Sequence, residues 1–449
     1  MDMNNKLFSN IKAVTACTFA FGLAGFSMAA PIKTIPWNGH VGAVSFTFDD
    51  ALENQVQNLK PVLDELPDVH VTFFVTDMGN GLKKNAAGFA ALAKAGHEIG
   101  NHAKNHGHLS GITNNEELNE EIVKFADNIE KALAENGATT NVISFATPFC
   151  ENNDQVKGVI DTRHFINRDC GWHGRNEWDV EPDWLALKAK IWTRSGASVP
   201  EMLTAMDTAA FIGNFAGAEP WEVQIKGGTW LVVLNHGVTD DKGDDYAIDP
   251  ADIKKIFERA IEDKLWVAPF GTIGAYYRAH FIVDAATSAA TDDGFTVSWK
   301  IPNEHMPASV PLRVKIDTKS VGENVVVEQD GQKITPESDG SYIIEFMSKS
   351  LKVRKAGAGD TPSDSTTHPQ DTTATPPADS TKDSSTALPK IQLGNLQNTV
   401  YTKFTLFDLN GNRIGTVRDF TVPESYPKGT YIIRAEAKGQ AAITKKVSR

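Results

Sequence analysis

The chain has 449 residues, which is more than one hydrophobic core usually supports, so we expect two or more domains. Its composition is ordinary for a soluble globular protein, with 41% hydrophobic and 22% charged residues. A formal net charge of -13 argues against nucleic acid as a partner and suits a soluble protein that works on neutral material.

The N-terminus has the pattern of a secretory signal. Lys6 and Lys12 precede an apolar run from about Ala13 to Phe26, and Ser27-Met28-Ala29 fits a small-residue cleavage site. The run is short for a membrane span, and no later stretch is long and apolar enough to cross a bilayer. We therefore expect residues 1–29 to be a signal peptide and the mature protein to be secreted.

Three cysteines are present, and Cys17 lies within the predicted signal. Its removal leaves Cys150 and Cys170 in an oxidising compartment. Spacing alone does not show whether their Cα atoms come within bridging range. A disulfide and two reduced, buried cysteines are therefore both compatible with the sequence.

From Pro31 to about Val283, short apolar runs alternate with helical patterns. The runs are Val41 to Phe48, Val69 to Thr76, His97 to Gly100, Asn141 to Ala146, His164 to Asn167, Trp230 to Asn235 and Leu265 to Ala268. The helical segments include Asn85 to Ala95, Asn115 to Asn136 and Pro250 to Asp263. This alternation predicts parallel strands covered by helices, hence a barrel or a doubly wound sheet.

Beyond residue 283 the pattern changes to short alternating strands. They are Phe295 to Ile301, Leu312 to Ile316, Asn324 to Glu328, Ser341 to Phe346 and Leu351 to Arg354. We expect a sandwich-like all-β module over residues 284–355. Residues 356–389 are almost wholly Asp, Ser, Thr, Pro, Gly and Ala, a composition typical of a disordered linker. Residues 390–449 form a second β-module, with a hairpin turn at Asp408 to Asn412 and a strand at Tyr431 to Arg434.

Two histidines and two aspartates indicate a metal site. His102 and His106 are four residues apart, so on one helical turn both imidazoles would lie on the same face. Asp49 and Asp50 follow the buried run Val41 to Phe48 and can supply a carboxylate ligand. Two histidines and one carboxylate match a catalytic zinc-like site with open positions, and cobalt, nickel, iron or manganese would also fit.

Acid and base groups accompany this site. Successive side chains at a strand end point in opposite directions, so we expect one of Asp49 and Asp50 to bind metal and the other to act as a base. His236 closes the run Trp230 to Asn235, where it can protonate a leaving oxygen or nitrogen. These residues, together with Pro148, come just after strands, where α/β barrels place their active sites. Hydrolysis of an ester or amide is the reaction class that this set favours.

Three segments resemble, in order and at suitable spacing, the polysaccharide deacetylase or NodB-homology family. They are Thr47-Phe48-Asp49-Asp50, Gly96 to His102 with His106, and Leu234-Asn235-His236. The resemblance covers roughly Ala43 to Tyr277, and Trp266 to Phe270 is also similar to members. It implies an α/β fold, a distorted (β/α) barrel of the NodB-homology type over residues 30–283, followed by the two small all-β modules. It also implies removal of acetyl groups from carbohydrate, either O-acetyl groups of acetylxylan or N-acetyl groups of chitin or peptidoglycan sugars.

The resemblance assigns roles to individual residues. Asp49 would be the catalytic base and His236 the acid, and the metal ligands would be Asp50, His102 and His106. Substrate-binding positions would be Pro148, Phe149, Leu234 and Trp172, with Leu234 lining the acetyl pocket and the Phe149 N–H offering an oxyanion donor. The implied cofactor is a divalent metal, Zn²⁺ before Co²⁺, Ni²⁺, Fe²⁺ or Mn²⁺.

Two segments depart from the family pattern. Members commonly have Arg-Pro-Pro-Tyr where this chain has Ala146-Thr147-Pro148-Phe149, so the arginine that steadies the catalytic aspartate is missing. Arg168 is a candidate substitute. The family's Asp-Trp motif has two candidates, Asp169 with Trp172 and the adjacent pair Asp183-Trp184, which the sequence does not separate.

Other interpretations stay open. A metalloprotease also uses His-x-x-x-His, but the glutamate base between the ligands is absent here. A catalytically inactive carbohydrate-binding surface protein is compatible with Ala146. The C-terminal module looks like a sorting domain of type IX secretion, which implies contact with secretion machinery and release to the medium or the outer cell surface. Without that role, a periplasmic location and a spacer or carbohydrate-binding module are the alternatives.

Overall fold

The structure of the chain is a computed structural model. It describes residues 28–171, 174–195, 198–210, 214–215, 225–226, 228–357 and 360, and, near the C-terminus, 403–407, 413–417, 421–423, 430–437 and 440–448. Several predicted features lie outside these residues: positions 1–27 of the signal, nearly all of the linker, the hairpin turn at Asp408 to Asn412, and Trp172.

A curled, mostly parallel sheet of nine strands forms the first large part of the molecule. In chain order the strands up to residue 267 are β1 (Met28–Ala29), β2 (Ile32–Thr34), β3 (Ala43–Asp49), β4 (Thr72–Val75), β5 (Glu98–Asn101), β6 (Ser144–Ala146), β7 (Ile166–Arg168), β8 (Arg175–Glu177), β9 (Lys190–Ile191), β10 (Asn214–Phe215), β11 (Ile225–Lys226), β12 (Thr229–Asn235), β13 (Gly237–Val238), β14 (Ala247–Ile248) and β15 (Trp266–Val267). Nine of these strands form the sheet, in the order β7-β6-β5-β4-β3-β12-β8, with β15 paired to β3 and β9 paired to β12. Only β8 runs antiparallel to its neighbour. The pairs β10-β11 and β13-β14 are separate, and β1 and β2 belong to the sheets described below.

Helices connect and cover these strands. They are α1 (Lys60–Asp64), α2 (Gly81–Lys94), α3 (Asn115–Glu121), α4 (Val123–Glu135), α5 (Asp154–Asp161), α6 (Val199–Ala209), α7 (Pro250–Glu262) and α8 (Phe270–Asp284). A π-helical turn, Gln55–Leu59, precedes α1, and short 3₁₀ turns lie at Pro36–Gly39, Met78–Asn80, Leu109–Gly111 and Pro148–Cys150. The predicted fold is therefore confirmed: the chain forms an α/β half-barrel of the NodB type, and each apolar run of the sequence overlaps one strand of the sheet.

Two helical features differ from the sequence-based prediction. Asn115 to Asn136 is two helices rather than one, because the backbone leaves ideal helical geometry at Ile122, with φ -108° and ψ -63°. Helix α8 was not predicted. It is buried on nearly every side, so its sequence lacks the alternation of apolar and polar faces that marks a surface helix.

Apolar side chains pack on both faces of the sheet. One cluster lies between one face and helices α2, α4, α6 and α7, and includes Phe46, Phe73 and Val233. The other face packs against α8 through residues such as Phe74, Trp230 and Phe270. Period-two alternation assigns neighbouring strand residues to opposite clusters, which is why these strands read as continuous apolar runs.

A buried carboxylate fixes the start of α8 against the sheet. Glu98 accepts hydrogen bonds from the Thr72 hydroxyl at 2.8 Å, the Ser144 hydroxyl at 2.7 Å and the backbone N–H of Gly271 at 2.8 Å. A Cβ on Gly271 would lie 2.5 Å from the Glu98 carboxylate, so this close approach requires glycine. Burial raises the pKa of Glu98, and its hydrogen bonds oppose that rise.

The second part of the molecule is all-β and packs on α8. Its strands are β16 (Thr287–Thr291), β17 (Gly294–Ser298), β18 (Pro311–Ile316), β19 (Val325–Gln329), β20 (Gln332–Ile334), β21 (Tyr342–Glu345) and β22 (Ser350–Lys355). They form two antiparallel sheets, β1-β16-β17-β22-β19-β20 and β2-β18-β21. The N-terminal strands β1 and β2 thus complete sheets whose other strands follow the half-barrel. Because β1 consists of the last two residues of the predicted signal, cleavage after Ala29 would remove it and leave β2. The apolar cluster around α8 continues into them through Val297, Leu312 and Val353.

The C-terminal region contains a separate antiparallel sheet of order β24-β23-β25-β26. Its strands are β23 (Lys403–Phe407), β24 (Arg413–Val417), β25 (Thr430–Ala437) and β26 (Gln440–Ser448). The predicted strand at Tyr431 to Arg434 lies within β25. In the part of the chain that the structure describes, no helix has the length and apolar character needed to span a bilayer.

We expect the stability of the fold to depend on pH through His97. The His97 Nδ1 accepts a hydrogen bond from the Val71 N–H at 3.2 Å, and burial lowers the pKa of the imidazole to about 4. The folded-state pKa is below the unfolded value, so this contribution is complete above about pH 6.5 and is lost as the pH falls through 4. Acidification should remove up to about 3 kcal/mol of unfolding free energy through this residue alone.

Urea unfolding at pH 7, 5.5 and 4 would measure this loss. The control is His97→Gln, because a glutamine oxygen can accept the same hydrogen bond and does not titrate. We expect a shallower pH dependence in the variant. Identical slopes in the two proteins would contradict the assignment to His97.

Candidate active site

The candidate residues come together because several strands end at one edge of the sheet. Asp49, Asn101, Ala146, Arg168 and Asn235 are the last residues of β3, β5, β6, β7 and β12. These strands are parallel, so their carboxyl ends share an edge. The expected location of the site at strand C-termini is therefore what the topology produces.

The backbone turns sharply between Asp49 and Asp50, and both carboxylates lie near His102 Nε2, with Asp49 Oδ2 at 3.5 Å and Asp50 Oδ1 at 3.7 Å. Asp49 ends β3, whereas Asp50 and Ala51 have φ values of +80° and +56°, in the left-handed region that non-glycine residues rarely adopt. The Asp50 N–H donates to the Phe74 carbonyl at 3.1 Å, which holds the turn against β4. The Asp50 carboxylate thereby reaches the histidines, as the division of roles between the two aspartates requires.

The two histidines converge, but not on a helix. The prediction of one helical turn is wrong: residues 102–108 form an irregular loop after β5, and Ala103 and His106 have φ values of +58° and +51°. The imidazole centroids of His102 and His106 are nevertheless 4.8 Å apart. The left-handed backbone of Ala103 and His106 folds the loop tightly enough to bring the two rings together without a helical turn.

One ligand atom from each of Asp50, His102 and His106 lies within 4.8 Å of the others. Asp50 Oδ1 is 3.7 Å from His102 Nε2 and 3.3 Å from His106 Nε2. The buried Oδ1 has no hydrogen-bond donor among the described residues. This group of three is the one that the sequence named as metal ligands.

The chemistry of these atoms fits a bound cation. The Ala146 carbonyl lies 2.7 Å from His102 Nδ1, and because a carbonyl can only accept, Nδ1 carries the proton and Nε2 presents a lone pair to Asp50. Burial lowers the pKa of His102 to about 3, and the Asp50 carboxylate acts in the opposite direction. A neutral imidazole lone pair facing a carboxylate oxygen is unfavourable unless a positive ion lies between them.

A buried glutamate at the end of α3 holds the histidine loop in place. The Glu121 carboxylate accepts a hydrogen bond from the Asn105 N–H at 2.9 Å, and the backbone carbonyl of Glu121 accepts one from the Lys104 N–H at 3.0 Å. Asn101 accepts from the Ala103 N–H at 3.0 Å and donates to the Ile122 carbonyl at 2.7 Å. The sequence analysis did not single out Glu121, which looks like one of several surface acids on α3.

Arg168 lies against the Asp49 carboxylate in the interior. The guanidinium contacts Asp49 Oδ2 directly, and the two side chains are 1% and 2% exposed. Arg168 and Ala146 are register partners on the adjacent strands β7 and β6, so the side chain reaches Asp49 from one strand further along the sheet. The other oxygen, Oδ1, is buried and has no hydrogen-bond partner among the described residues. Arg168 therefore occupies one oxygen of Asp49 and leaves the other available.

His236 lies beside Asp49 on the opposite side from Arg168's strand. β12 pairs with β3 so that Asn235 is the register partner of Phe48, which places the next residues of both strands side by side. Gln55 connects them: its amide donates to the Asp49 carbonyl and, at 2.9 Å, to the His236 carbonyl. Gln55 is fully buried and was not among the residues that the sequence singled out.

Comparison with known families bears on this arrangement. Residues 38–162 match the model of a family described as polysaccharide deacetylase. These residues belong to the polysaccharide deacetylase family. The match spans the candidate base Asp49, all three candidate metal ligands and Phe149. It ends before Arg168 and His236, which lie outside the matched residues.

Solved structures of carbohydrate esterases are similar to the chain at low identity. The Xyl-CE4 domain of a multidomain xylanase from the hindgut metagenome of Trinervitermes trinervoides is 14% identical over 51% of this chain and 87% of its own, with a TM-score of 0.32. A family 4 carbohydrate esterase from Streptomyces lividans, in complex with acetate, is 19% identical over 50% and 88%, with a TM-score of 0.31. A CE4 family pseudoenzyme from Bacillus anthracis is 17% identical over 55% and 69%, with a TM-score of 0.34. Similarity at this level says nothing about substrate or activity, and no curated protein matches the sequence.

In the polysaccharide deacetylase domain, Pro148 and Phe149 form a turn directly after β6. Phe149 and Cys150 have φ values of +57° and +58°, and the Cys150 N–H donates to the Thr147 carbonyl at 3.2 Å. Cys150 and Cys170 form a disulfide with a Cα–Cα distance of 5.5 Å, which decides between the two states that the sequence left open. The disulfide ties the Phe149 turn to the segment after Arg168.

The other assigned residues have varied environments. Leu234 is buried on the same face of the sheet as Ala146. Asp183 pairs with Lys157 at 2.6 Å, and Trp184 packs on Tyr277, so neither contacts a site residue.

The other Asp-Trp candidate is Asp169 with Trp172. Asp169 accepts from the Cys170 N–H at 2.8 Å, and Trp172 lies outside the described residues. Among the residues that are described, nothing hydrogen-bonds the buried Nδ1 of His236.

The buried pair of Arg168 and Asp49 should be strongly coupled. Arg168→Met leaves the Asp49 carboxylate buried without its cation, which should lower the unfolding free energy by about 3–5 kcal/mol. Asp49→Asn in the same chain removes that uncompensated charge and should recover a large part of the loss. Urea unfolding of both single variants and the double variant measures the coupling, and additive effects would contradict a direct interaction.

Proposed function

We propose that this protein is a metal-dependent carbohydrate deacetylase that hydrolyses acetyl groups from a polysaccharide or oligosaccharide. The observation that carries the proposal is the convergence of one carboxylate, that of Asp50, and two imidazole nitrogens on a single point, directly beside Asp49. The Asp49 carboxylate has one oxygen held by the buried Arg168 and one oxygen without a hydrogen-bond partner among the described residues. This combination supplies a cation site and a base at one strand edge.

Asp50, His102 and His106 would hold the metal. Two nitrogens and one oxygen suit Zn²⁺ best, and Co²⁺, Ni²⁺, Fe²⁺ or Mn²⁺ fit the same donors. A bound divalent ion would supply Lewis acidity, which activates water and polarises a carbonyl.

Asp49 is the base in this proposal. Its free Oδ1 would accept a proton from the attacking water, while the Arg168 guanidinium on Oδ2 keeps the carboxylate in one orientation. A base with a fixed orientation loses less entropy on reaching the transition state than one that rotates. Asp49, paired with Arg168, is then the base, and Asp50, beside His106, is a metal ligand.

His236 is the proton donor to the leaving oxygen or nitrogen. Gln55 bonds to the backbone carbonyls of both His236 and Asp49, so acid and base keep a constant spacing on adjacent strands. The Phe149 N–H is proposed to stabilise the oxyanion, in a turn that the Cys150–Cys170 disulfide secures. Leu234, with Pro148, would contact the acetyl methyl group.

Both ester and amide linkages pass through a tetrahedral intermediate, so this set of residues serves O-acetyl and N-acetyl sugars alike. A metalloprotease is disfavoured because His102 and His106 lie on a loop and no acid separates them in sequence. A second candidate is a non-catalytic carbohydrate-binding protein. The observation that favours it is His236 Nδ1, which is buried and has no hydrogen-bond partner among the described residues.

Metal content and turnover should separate in two variants. His106→Ala removes a ligand and should abolish zinc binding and acetate release together. Asp49→Asn keeps the ligands, so it should retain zinc and lose turnover by about 100-fold or more. Metal analysis by mass spectrometry and acetate release from acetylated xylan and chitin oligomers, with and without chelator, provide the two measurements.

A matched control is Asp240→Asn, an exposed aspartate outside the site, which should change neither property. Normal turnover of Asp49→Asn would show that the base is another residue. Zinc binding without acetate from any acetylated sugar would favour the non-catalytic candidate.

We further propose that the protein is exported, because residues 1–29 have the pattern of a cleaved signal and the C-terminal module looks like a sorting domain. The alternative for that module remains a spacer, with a periplasmic protein as the consequence. Intact mass of protein collected from the medium should correspond to a chain that begins at Ala30. Retention inside the cell with residues 1–29 still attached would contradict export.

A further inference from the structure

We propose that Phe149 and Tyr246 are aromatic platforms on opposite sides of the candidate active site, and that they bind different sugar rings of one chain. The substrate would then be an acetylated residue inside an oligosaccharide or polysaccharide, rather than a single sugar. This inference rests on the proposed function in taking the site to bind carbohydrate, and it adds the residues that would hold neighbouring sugars, including Tyr246, which no motif indicated.

The exposure of these two side chains sets them apart. Among the described residues, the large apolar side chains that are exposed are Met78, Phe149, Val180, Ile191, Tyr246 and Ile261. Phe149 is 51% exposed and Tyr246 is 56% exposed, and they are the aromatic members of this group. Each contacts a histidine of the site, so both exposed aromatic rings in the described part of the chain stand at the same place.

Tyr246 is held in position next to the candidate acid. Its ring centroid lies 5.1 Å from that of His236, with an interplanar angle of 79°. The Tyr246 N–H donates to the Asp244 carboxylate at 3.0 Å, and its carbonyl accepts from the Gly237 N–H at 3.3 Å. A ring on a fixed backbone loses little entropy when a ligand covers it.

Phe149 occupies the metal-ligand side. Its ring centroid is 4.6 Å from that of His106, and it stacks on His108 at 4.2 Å with an interplanar angle of 17°. His108 is itself held by Glu151 at 2.9 Å, and the neighbouring Cys150 is in the disulfide. The Phe149 ring therefore has one face supported by protein, while half of its surface faces solvent.

The sheet order places the two rings on either side of the base. Phe149 follows β6 and Tyr246 stands beside the residue that follows β12, and β5, β4 and β3 lie between these strands. Asp49, at the end of β3, lies between them in the sheet order. An occupant that covers both aromatic rings while its acetyl group reaches Asp49 must therefore extend to both sides of the base, as a chain of sugars does.

Aromatic rings are suited to this task because the C–H faces of a pyranose ring are apolar and match the flat face of an aromatic side chain. Charge is not needed for such contacts, which agrees with a neutral polymer as the ligand. The platform on the acid side would hold the ring next to the leaving group. The platform on the metal-ligand side would hold a ring on the other side of the reacting sugar.

The test compares chain length in matched substrates. For wild type, Tyr246→Ala, Phe149→Ala and Tyr246→Phe, kcat and KM are measured on N-acetylglucosamine and its pentamer, and on acetylated xylose and acetylated xylopentaose. We expect the ratio of kcat/KM for pentamer over monomer to fall about five- to tenfold in each alanine variant, through KM rather than kcat. Tyr246→Phe keeps the ring and should keep the ratio.

A second readout does not depend on turnover. Calorimetric titration of the full-length protein with unacetylated xylopentaose and with chitosan pentamer should show binding that weakens about five- to tenfold in Tyr246→Ala. Ile261→Ala, an exposed apolar residue on α7, is the matched control and should leave ratio and binding unchanged.

The outcomes separate this inference from the proposed function. Acetate release with an unchanged pentamer-to-monomer ratio in both alanine variants would overturn the platforms and leave the deacetylase standing. Pentamer binding that depends on Tyr246, without acetate release, would support the platforms and remove the enzyme. Wild-type protein that neither binds pentamers nor releases acetate would overturn both.

Discussion

The site depends on a balance of charge inside the protein. Two carboxylates, Asp49 and Asp50, lie next to each other at the end of one strand, and burial makes an uncompensated negative charge costly. Arg168 compensates one of them. The second faces two imidazole nitrogens, of which at least that of His102 presents a lone pair, so a further positive charge is needed there. A divalent cation bound by Asp50, His102 and His106, as proposed above, would supply that charge.

The strand ends place the site residues near one another, and loops with positive-φ backbone orient their side chains. Twelve non-glycine residues in the described part of the chain have positive φ, and half of them lie in the three loops of the site. Those six are Asp50, Ala51, Ala103, His106, Phe149 and Cys150. Such residues persist only where the surroundings hold them in place. Here the holding groups are the Phe74 carbonyl, the Glu121 carboxylate and the disulfide.

The accessory β-strands belong to the same packing unit as the half-barrel. Helix α8 lies between the sheet and the second module, and one apolar cluster extends from Trp230 through Tyr276 to Val353. Burial on all sides explains why α8 tolerates so few polar residues. Strand β2, which precedes the half-barrel in sequence, completes the sheet of β18 and β21 that follows it. The sheet that carries the candidate site is thereby covered on one face by elements far away in sequence.

The sequence by itself determined the seven strands that its apolar runs mark, the all-β character of residues 284–355 and the choice of candidate ligands. Those properties follow from short-range periodicity and from motifs whose residues are close together in the sequence. It did not determine the loop geometry of His102 and His106, because identical spacing suits a helix or a turn, and only contacts with Glu121 and Asn101 choose the turn.

It also indicated Arg168 only as one candidate, since nothing local shows that residues 146 and 168 are register partners. The sequence did not indicate Gln55 or Tyr246 for a similar reason. Gln55 bonds to the backbone of both Asp49 and His236, and Tyr246 packs on His236. Asp49 and His236 are far apart along the chain and become neighbours only through the pairing of β3 and β12. Tertiary structure decided these points because parallel strands place side by side residues that are far apart in sequence, as Arg168 and Asp49 are.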